Sequence, residues 1–228
     1  MEARLAEGTM AAKWRNALIS CLAQTQPNHA RDTWLVPGLT RLESKLLEHA
    51  FPAAPRAAAV LIPIVEYPRA LTVLLTTRAT QLRNHAGQIS FPGGSLEAGE
   101  TPCDGALREA YEEIGLRSDF VSLLGYLPDH ILLTGFRITP VVALVRPGFE
   151  IHADSSEVHD VFEAPLDRLL DISNYVISRR RAGPDWGHAL REEIELETYS
   201  VRVAGRNIWG ATAGILFNLA RRCAPALQ

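Results

Sequence analysis

The sequence predicts an α+β fold, and three observations carry that prediction. The runs "AAAVLIPIVE" and "ALTVLLTTR", separated by "YPR", are rich in Val, Leu, Ile and Thr and read as two strands of a hairpin. Further strand and helix patterns then mix without strict alternation, which argues against a doubly wound sheet. An apolar fraction of 47% over 228 residues supplies a sizeable core for one domain with an N-terminal extension.

Taken in order, residues 1–56 read as a helical extension and 57–228 as the main domain. Trp14, Ala17, Leu18, Cys21 and Leu22 recur at helical spacing, so a helix is expected near 9–24 with one buried face. The Pro, Asn and Gly content of "QPNHARDTWLVPGL" marks a loop. A second helix is expected near 40–49, then the hairpin, then mostly loop over 79–92. The helix over about 101–114 has a well-marked start: Thr101 as N-cap, Pro102 in the first turn, and Asp104 three residues after the cap. Gly115 is its expected stop. Strands are expected near 121–127, 136–146, 174–180 and 195–203, a short helix from Pro165 to Leu170, and a closing helix with Ile208, Thr212, Ile215, Leu216 and Leu219 on one face.

The bulk properties exclude several classes of partner. A formal net charge of -3 is no footprint for nucleic acid or for an anionic membrane. No apolar run approaches the ~18 residues of a membrane span, and the opening "MEARLAEGTMAAKWRN" lacks an apolar signal core. Cys21, Cys103 and Cys223 are far apart, in neither disulfide-framework nor zinc spacing, and fit a reduced, cytoplasmic protein. Cys103 has no His or Lys beside it in sequence to make a reactive thiolate.

Within the helix over 101–114 stands "REAYEE". Glu109, Glu112 and Glu113 lie at offsets of three and four, on one helical face, where like charges repel. A hard divalent cation, Mg²⁺ or Mn²⁺, would turn that repulsion into attraction. The alternative is a solvated acidic face with Arg108 paired to Glu112. Gly93 and Gly94, expected in a tight loop just before the helix, allow backbone to approach a metal or a phosphate. Carboxylates beside exposed backbone suit a metal-assisted reaction at phosphorus.

This stretch resembles the Nudix hydrolases, whose pattern is G-x5-E-x7-R-E-U-x-E-E-x-G-U with U a bulky aliphatic residue. The chain reads Gly94, Glu100, Arg108, Glu109, Ala110, Glu112, Glu113, Gly115 and Leu116 at those positions. Ala110 is the one departure, small at a packing position. The resemblance implies an α/β/α sandwich around a mixed sheet and hydrolysis of a nucleoside diphosphate derivative. It also implies metal ligation by Glu109, Glu112 and Glu113 with the Gly94 carbonyl. Glu100 and Arg108 then serve as scaffold.

A second stretch, "LLTTRATQLRNHAGQISFPGG" over 74–94, resembles the signature of the coenzyme A diphosphatase subfamily, LLT-x-R-[SA]-x3-R-x3-G-x3-FPGG. The segments "FRITPVVALV", "EVHDVFEAPLDRLL" and "IWGATAGILFNLA" are similar to that subfamily too, whereas "YLPDHILLTGF" is a looser match. The resemblance implies coenzyme A or a derivative as small-molecule substrate, with Arg78, Arg83, Gly93 and Gly94 binding it. Arg78 and Arg83 have the planar fork that grips phosphate oxygens. Arg179 to Arg181 and His85 are further candidates for the site. Glu157, in the polar stretch "ADSSEVHDVF", is the leading catalytic candidate outside the acidic helix, with His152, His159 and Asp160 as competitors. Two alternatives stay open: another substrate such as ADP-ribose, NADH or a dinucleotide, and a ligand-sensing domain that binds without hydrolysis. The apolar helix near 9–24 leaves a homodimer interface open.

Overall fold

The computed structural model describes residues 10–29, 35, 55–79, 87–132, 134–182 and 194–224. The helix expected near 40–49, together with Arg83 and His85, lies outside the described residues. The chain order is α1 (Met10–Leu22), β1 (Arg56–Tyr67), β2 (Ala70–Arg78), β3 (Ile89–Ser90), β4 (Gly93–Ser95) and α2 (Pro102–Ile114). Then come β5 (Val121–Tyr126), β6 (His130–Ile131), β7 (Phe136–Val145), β8 (Val158–Pro165) and α3 (Leu166–Leu170). The chain closes with β9 (Tyr175–Ala182), β10 (Ile194–Val203), β11 (Arg206–Trp209) and α4 (Gly210–Cys223).

The main sheet is mixed, as expected. Its path is β3-β2-β1-β7-β5, with β4 added to β1, β6 to β7 and β8 to β2. The axis is the parallel pair β1–β7, in continuous register from Arg56↔Phe136 to Val65↔Val145. Both strands are apolar almost throughout because both sheet faces are covered. Alternation divides their side chains. Ile62, Ile64, Val142 and Leu144 face one core with α1, α3 and α4, while Ala59, Leu61, Val141 and Ala143 face a second core under α2. That is an α/β/α layering. Ala110, the small residue in the acidic helix, is fully buried in the second core. A separate three-stranded sheet, β11-β10-β9, lies beside the first core.

Three expectations need correction. The glycines at 93 and 94 are not in a loop but form a short strand on β1. Ile208 belongs to β11 rather than to the closing helix, which starts at Gly210. The cysteines are not all unpaired: Cys21 of α1 and Cys223 of α4 form a disulfide with Cα atoms 5.6 Å apart. A separation of 202 residues hides that pair from any spacing argument, and the expectation of three reduced thiols falls with it. Cys103 stays free, and burial raises its thiol pKa, the opposite of a reactive thiolate.

One buried polar cluster sits where β6 meets β7 and α4. Asp129 is fully buried, accepts from Thr139 Oγ1 at 2.7 Å and lies 2.8 Å from His29 Nδ1. His130, also fully buried, places Nδ1 3.0 Å from the Pro128 carbonyl and Nε2 2.8 Å from Asn218 Nδ2. Those partners suit a neutral ring with Nδ1 donating and Nε2 accepting.

Burial lowers the His130 pKa to about 4, with the Pro128 carbonyl opposing. The unfolded chain titrates near the ordinary value of about 6.5. Between those values the unfolded state takes up a proton that the folded state refuses, so stability falls as pH drops through that window. The loss is at most roughly 3 kcal/mol. Urea midpoints at pH 7 and pH 4.5 should therefore differ markedly in the wild type and clearly less in His130→Gln. An equal drop in both proteins would assign the acid sensitivity to other groups.

Candidate active site

Helix α2 is set by its ends. Thr101 Oγ1 accepts the Asp104 N–H at 3.2 Å and donates to Asp104 Oδ2 at 2.6 Å, a shortened capping box worth about 1 kcal/mol. At the other end Gly115 takes φ 73°, and the N–H groups of Gly115 and Leu116 bond the carbonyls of Tyr111 and Ala110. The acidic face between these caps is thus held in one orientation over the sheet.

Strand β4 brings main chain against that face. Gly94 pairs with Ala59 and Gly93 with Val60. A Cβ on Gly93 would lie 2.6 Å from Val60 Cα, and one on Gly94 would lie 2.5 Å from the Glu109 carboxyl carbon. At Gly93 the β1 main chain itself forbids a side chain, and at Gly94 one would push the Glu109 carboxylate aside. The Gly93 N–H donates to Glu113 Oε2 at 3.3 Å.

Arg108 ties the turn before the helix to the helix itself. Its Nε donates to Glu100 Oε1 at 2.7 Å and its NH2 to Glu100 Oε2 at 3.1 Å, a two-pronged contact. The same NH2 reaches the Ser95 carbonyl at 3.1 Å. NH1 reaches Glu109 Oε1 at 3.1 Å and Glu112 Oε2 at 3.0 Å. The scaffold reading and the Arg108–Glu112 pairing are therefore both present in one side chain. The Ser95 carbonyl is a partner that nothing in the sequence announces.

Glu157 arrives from a loop that folds back over α2. The His152 N–H donates to Ile114 O at 3.0 Å and the Asp154 N–H to Glu113 O at 2.9 Å. Asp154 then accepts from Ser156 N–H at 2.8 Å and Ser156 Oγ at 2.7 Å, closing a turn that leads into Glu157. The Ala79 N–H donates to Glu157 O at 2.8 Å, so the loop also joins the end of β2, next to Arg78. His152 is largely exposed and His159 is exposed, whereas Asp160 is engaged by Arg206 at 2.7 Å. Arg179 and Arg180 are exposed on β9, with Arg179 3.7 Å from Glu197.

The electrostatics record how these groups meet. Burial pushes the Glu113 carboxyl up to about 8; the Gly93 N–H and the Arg78 charge oppose, and Glu109 and Glu157 add to the rise. Glu109 is raised as well, first by burial and further by Glu112 and Glu157, against Arg108. Arg78, Glu109, Glu113 and Glu157 thus share one field although they come from three separate stretches of chain. Glu112 lies at the rim, its side chain 56% exposed.

A hard divalent cation fits this donor set: three carboxylates on one face with glycine main chain against them. The glycine that a Cβ would block is the cradle for Glu109. Among the described residues no three acidic, His or Cys side chains already converge closely enough to hold an ion. Arg108 engages one oxygen each of Glu109 and Glu112, and those single contacts can open without undoing its fork on Glu100.

Comparison with known proteins gives a consistent picture. Residues 55–184 match the family described as the NUDIX domain. A protein of Enterobacter sp. (strain 638), described as an uncharacterized Nudix hydrolase NudL, is 40% identical over 169 residues, 72% of this chain and 81% of that one. Its counterpart in Klebsiella pneumoniae (strain 342) is 40% identical over 167 residues with the same coverage. Among solved structures, a MutT/nudix family protein of Enterococcus faecalis matches with a TM-score of 0.49 and 16% identity, covering 82% of this chain and 70% of that one.

If the acidic face binds a cation, adding Mn²⁺ should raise the melting temperature. At a hundredfold excess over the dissociation constant the stabilisation is about 2.7 kcal/mol, or roughly 5–10 °C for a chain of this size. Glu113→Gln keeps the shape and removes a charge, and most of that shift should vanish. A full Mn²⁺ shift in a well-folded Glu113→Gln protein would remove Glu113 from the metal site.

Proposed function

The chain belongs to the NUDIX domain family, and on that premise we propose that it hydrolyses the diphosphate of coenzyme A or a derivative. It is a Nudix hydrolase of a nucleoside diphosphate derivative, and members of the family generally need a divalent ion such as Mg²⁺ or Mn²⁺. In this reading the products are 3′,5′-ADP and 4′-phosphopantetheine. The observation that carries the choice of substrate is the stretch 74–94, which meets every fixed position of the coenzyme A diphosphatase signature. Its Arg78 also bears electrostatically on Glu113, which supports a role at the reacting diphosphate.

The roles follow from charge. A divalent ion held by Glu109, Glu112 and Glu113, with the Gly94 carbonyl, supplies Lewis acidity and neutralises phosphate charge. Arg78 grips phosphate oxygens through its fork, and Arg83 of the same signature does likewise. Gly93 and Gly94 let the diphosphate approach the main chain without a side chain in the way. Glu157 is exposed and is not among the three proposed ligands, so its carboxylate is free to take the proton of the attacking water. No partner beyond the small-molecule substrate is proposed.

Incubation with coenzyme A and Mg²⁺ should yield 3′,5′-ADP and 4′-phosphopantetheine in equal amounts. Turnover of ADP-ribose or NADH but not coenzyme A would overturn the substrate assignment. Binding without turnover of any of them would favour a ligand sensor. With the active substrate, Glu157→Gln should lower kcat at least tenfold, which is about 1.4 kcal/mol of barrier. Arg78→Lys should raise KM, because lysine keeps the charge and loses the fork.

A further inference from the structure

Beyond the acidic helix, the two groups whose charges bear on Glu113, Arg78 and Glu157, both hang from one irregularity in the sheet. Strands β2 and β8 run antiparallel in register as far as Thr77↔Asp160, and the next pair is Arg78↔Val158. His159 is therefore an extra residue on β8, a β-bulge. A bulge changes the direction of the side chains beyond it. Arg78 lies one residue past it on one strand, and Glu157 just past it on the other.

The last regular pair before the bulge is held from outside the sheet. Arg206, on β11 of the three-stranded sheet, places NH2 2.7 Å from Asp160 Oδ2. Its NH1 donates to Thr77 Oγ1 at 3.4 Å. Its guanidinium carbon lies 4.1 Å from the centre of the Phe162 ring, two residues further along β8. One planar cation thus touches both members of the pair and stacks on the strand that carries the extra residue. A lysine has no such fork and no such plane.

We infer that Arg206 is a positioning residue for the reaction: it clamps Thr77 to Asp160, fixes the bulge in one register, and so aims Arg78 and Glu157 at the acidic helix. A slip of one residue in this ladder would turn side chains to the opposite face. The three-stranded sheet, remote in sequence from the acidic helix, then contributes to catalysis through this contact. The inference rests on the reading that Arg78 and Glu157 serve the reaction, but not on which diphosphate is cleaved.

The test is a mutant cycle read on whichever nucleoside diphosphate derivative the wild type turns over best. Arg206→Ala is expected to lower kcat/KM by about tenfold or more, and Arg206→Lys, which keeps the ion pair with Asp160, by less. Asp160→Asn gives the same reading from the other partner should Arg206→Ala fail to fold. The decisive comparison repeats Arg206→Lys and Asp160→Asn in a Glu157→Gln, Arg78→Lys background. Residues that act through the same groups are not additive, so each substitution should cost much less there than alone. Equal fold losses in the two backgrounds, or single variants with wild-type kcat/KM, would overturn the inference. If Glu157→Gln and Arg78→Lys themselves leave turnover unchanged, the reading beneath it fails, and the clamp has nothing to aim.

Discussion

Everything at this site depends on one guanidinium holding three glutamates. Arg108 meets both oxygens of Glu100 and one each of Glu109 and Glu112, besides the Ser95 carbonyl. The contacts divide into two kinds. The fork on Glu100 and the bond to Ser95 join the end of β4 and the following turn to α2, and they hold the charge on Arg108 firmly. The single bonds to Glu109 and Glu112 screen two like charges from each other. Remove Arg108 and β4 loses its Ser95 tie to the helix, keeping the Gly93–Glu113 bond; remove the screening and the acidic face repels itself. Lysine at 108 would keep a charge but could not form the fork.

The sheet explains why the remaining groups converge. The parallel β1–β7 pair is continuous over ten positions, so β1 is a rigid central strand, and β4 lies on its side away from β7 with Gly93 against Val60. On the same side of β1, further along the strand, β2 pairs and carries β8, and the loop preceding β8 is bonded by main chain to the carbonyls of Glu113 and Ile114. Those carbonyls are in the last turn of α2, where intrahelical donors run out. The loop supplies two of the missing donors, and in doing so sets the distance between Glu157 and the acidic face. A need of the backbone at a helix end thereby positions a side chain of the site.

Some of this was legible in the sequence and some was not, for definite reasons. The caps of α2 were legible because a cap is a local contract between residues three or four apart. Thr101, Pro102, Asp104 and Gly115 each sit where it requires. The long strands β1, β2 and β7 were legible to within a residue or two because burial leaves long apolar runs, whereas the short β3, β4 and β6 and the half-buried β8 leave none. The fold-back of the Glu157 loop was not, because it is made by main-chain N–H groups that every residue type except proline carries. The Cys21–Cys223 bond and the Arg206 clamp join residues 202 and 46 apart, beyond any periodicity. Ile208 was misplaced for a subtler reason: a buried residue two positions before a helix shares the helix's apolar spacing while belonging to a strand.

The charge balance imposes the last constraint. Glu100, Glu109, Glu112, Glu113 and Glu157 face Arg108 and Arg78, five carboxylates against two guanidinium groups. Burial has already driven Glu113 toward its neutral form, which is the protein's own way of relieving the excess. In the proposed reading, a nucleoside diphosphate would bring further negative charge to the same place. Among the described residues, Arg78 cannot by itself offset both the carboxylates and the incoming phosphates, and the Arg108 charge is committed to Glu100. Anion binding at this face therefore requires added positive charge. Monovalent salt screens only weakly where groups are buried. A divalent cation answers the need in the smallest volume, and its arrival would let Glu113 ionise as a ligand. In the proposed reading, the acidic helix that looks unsuited to an anionic substrate would be the part of the molecule that makes one bindable, provided the cation comes with it.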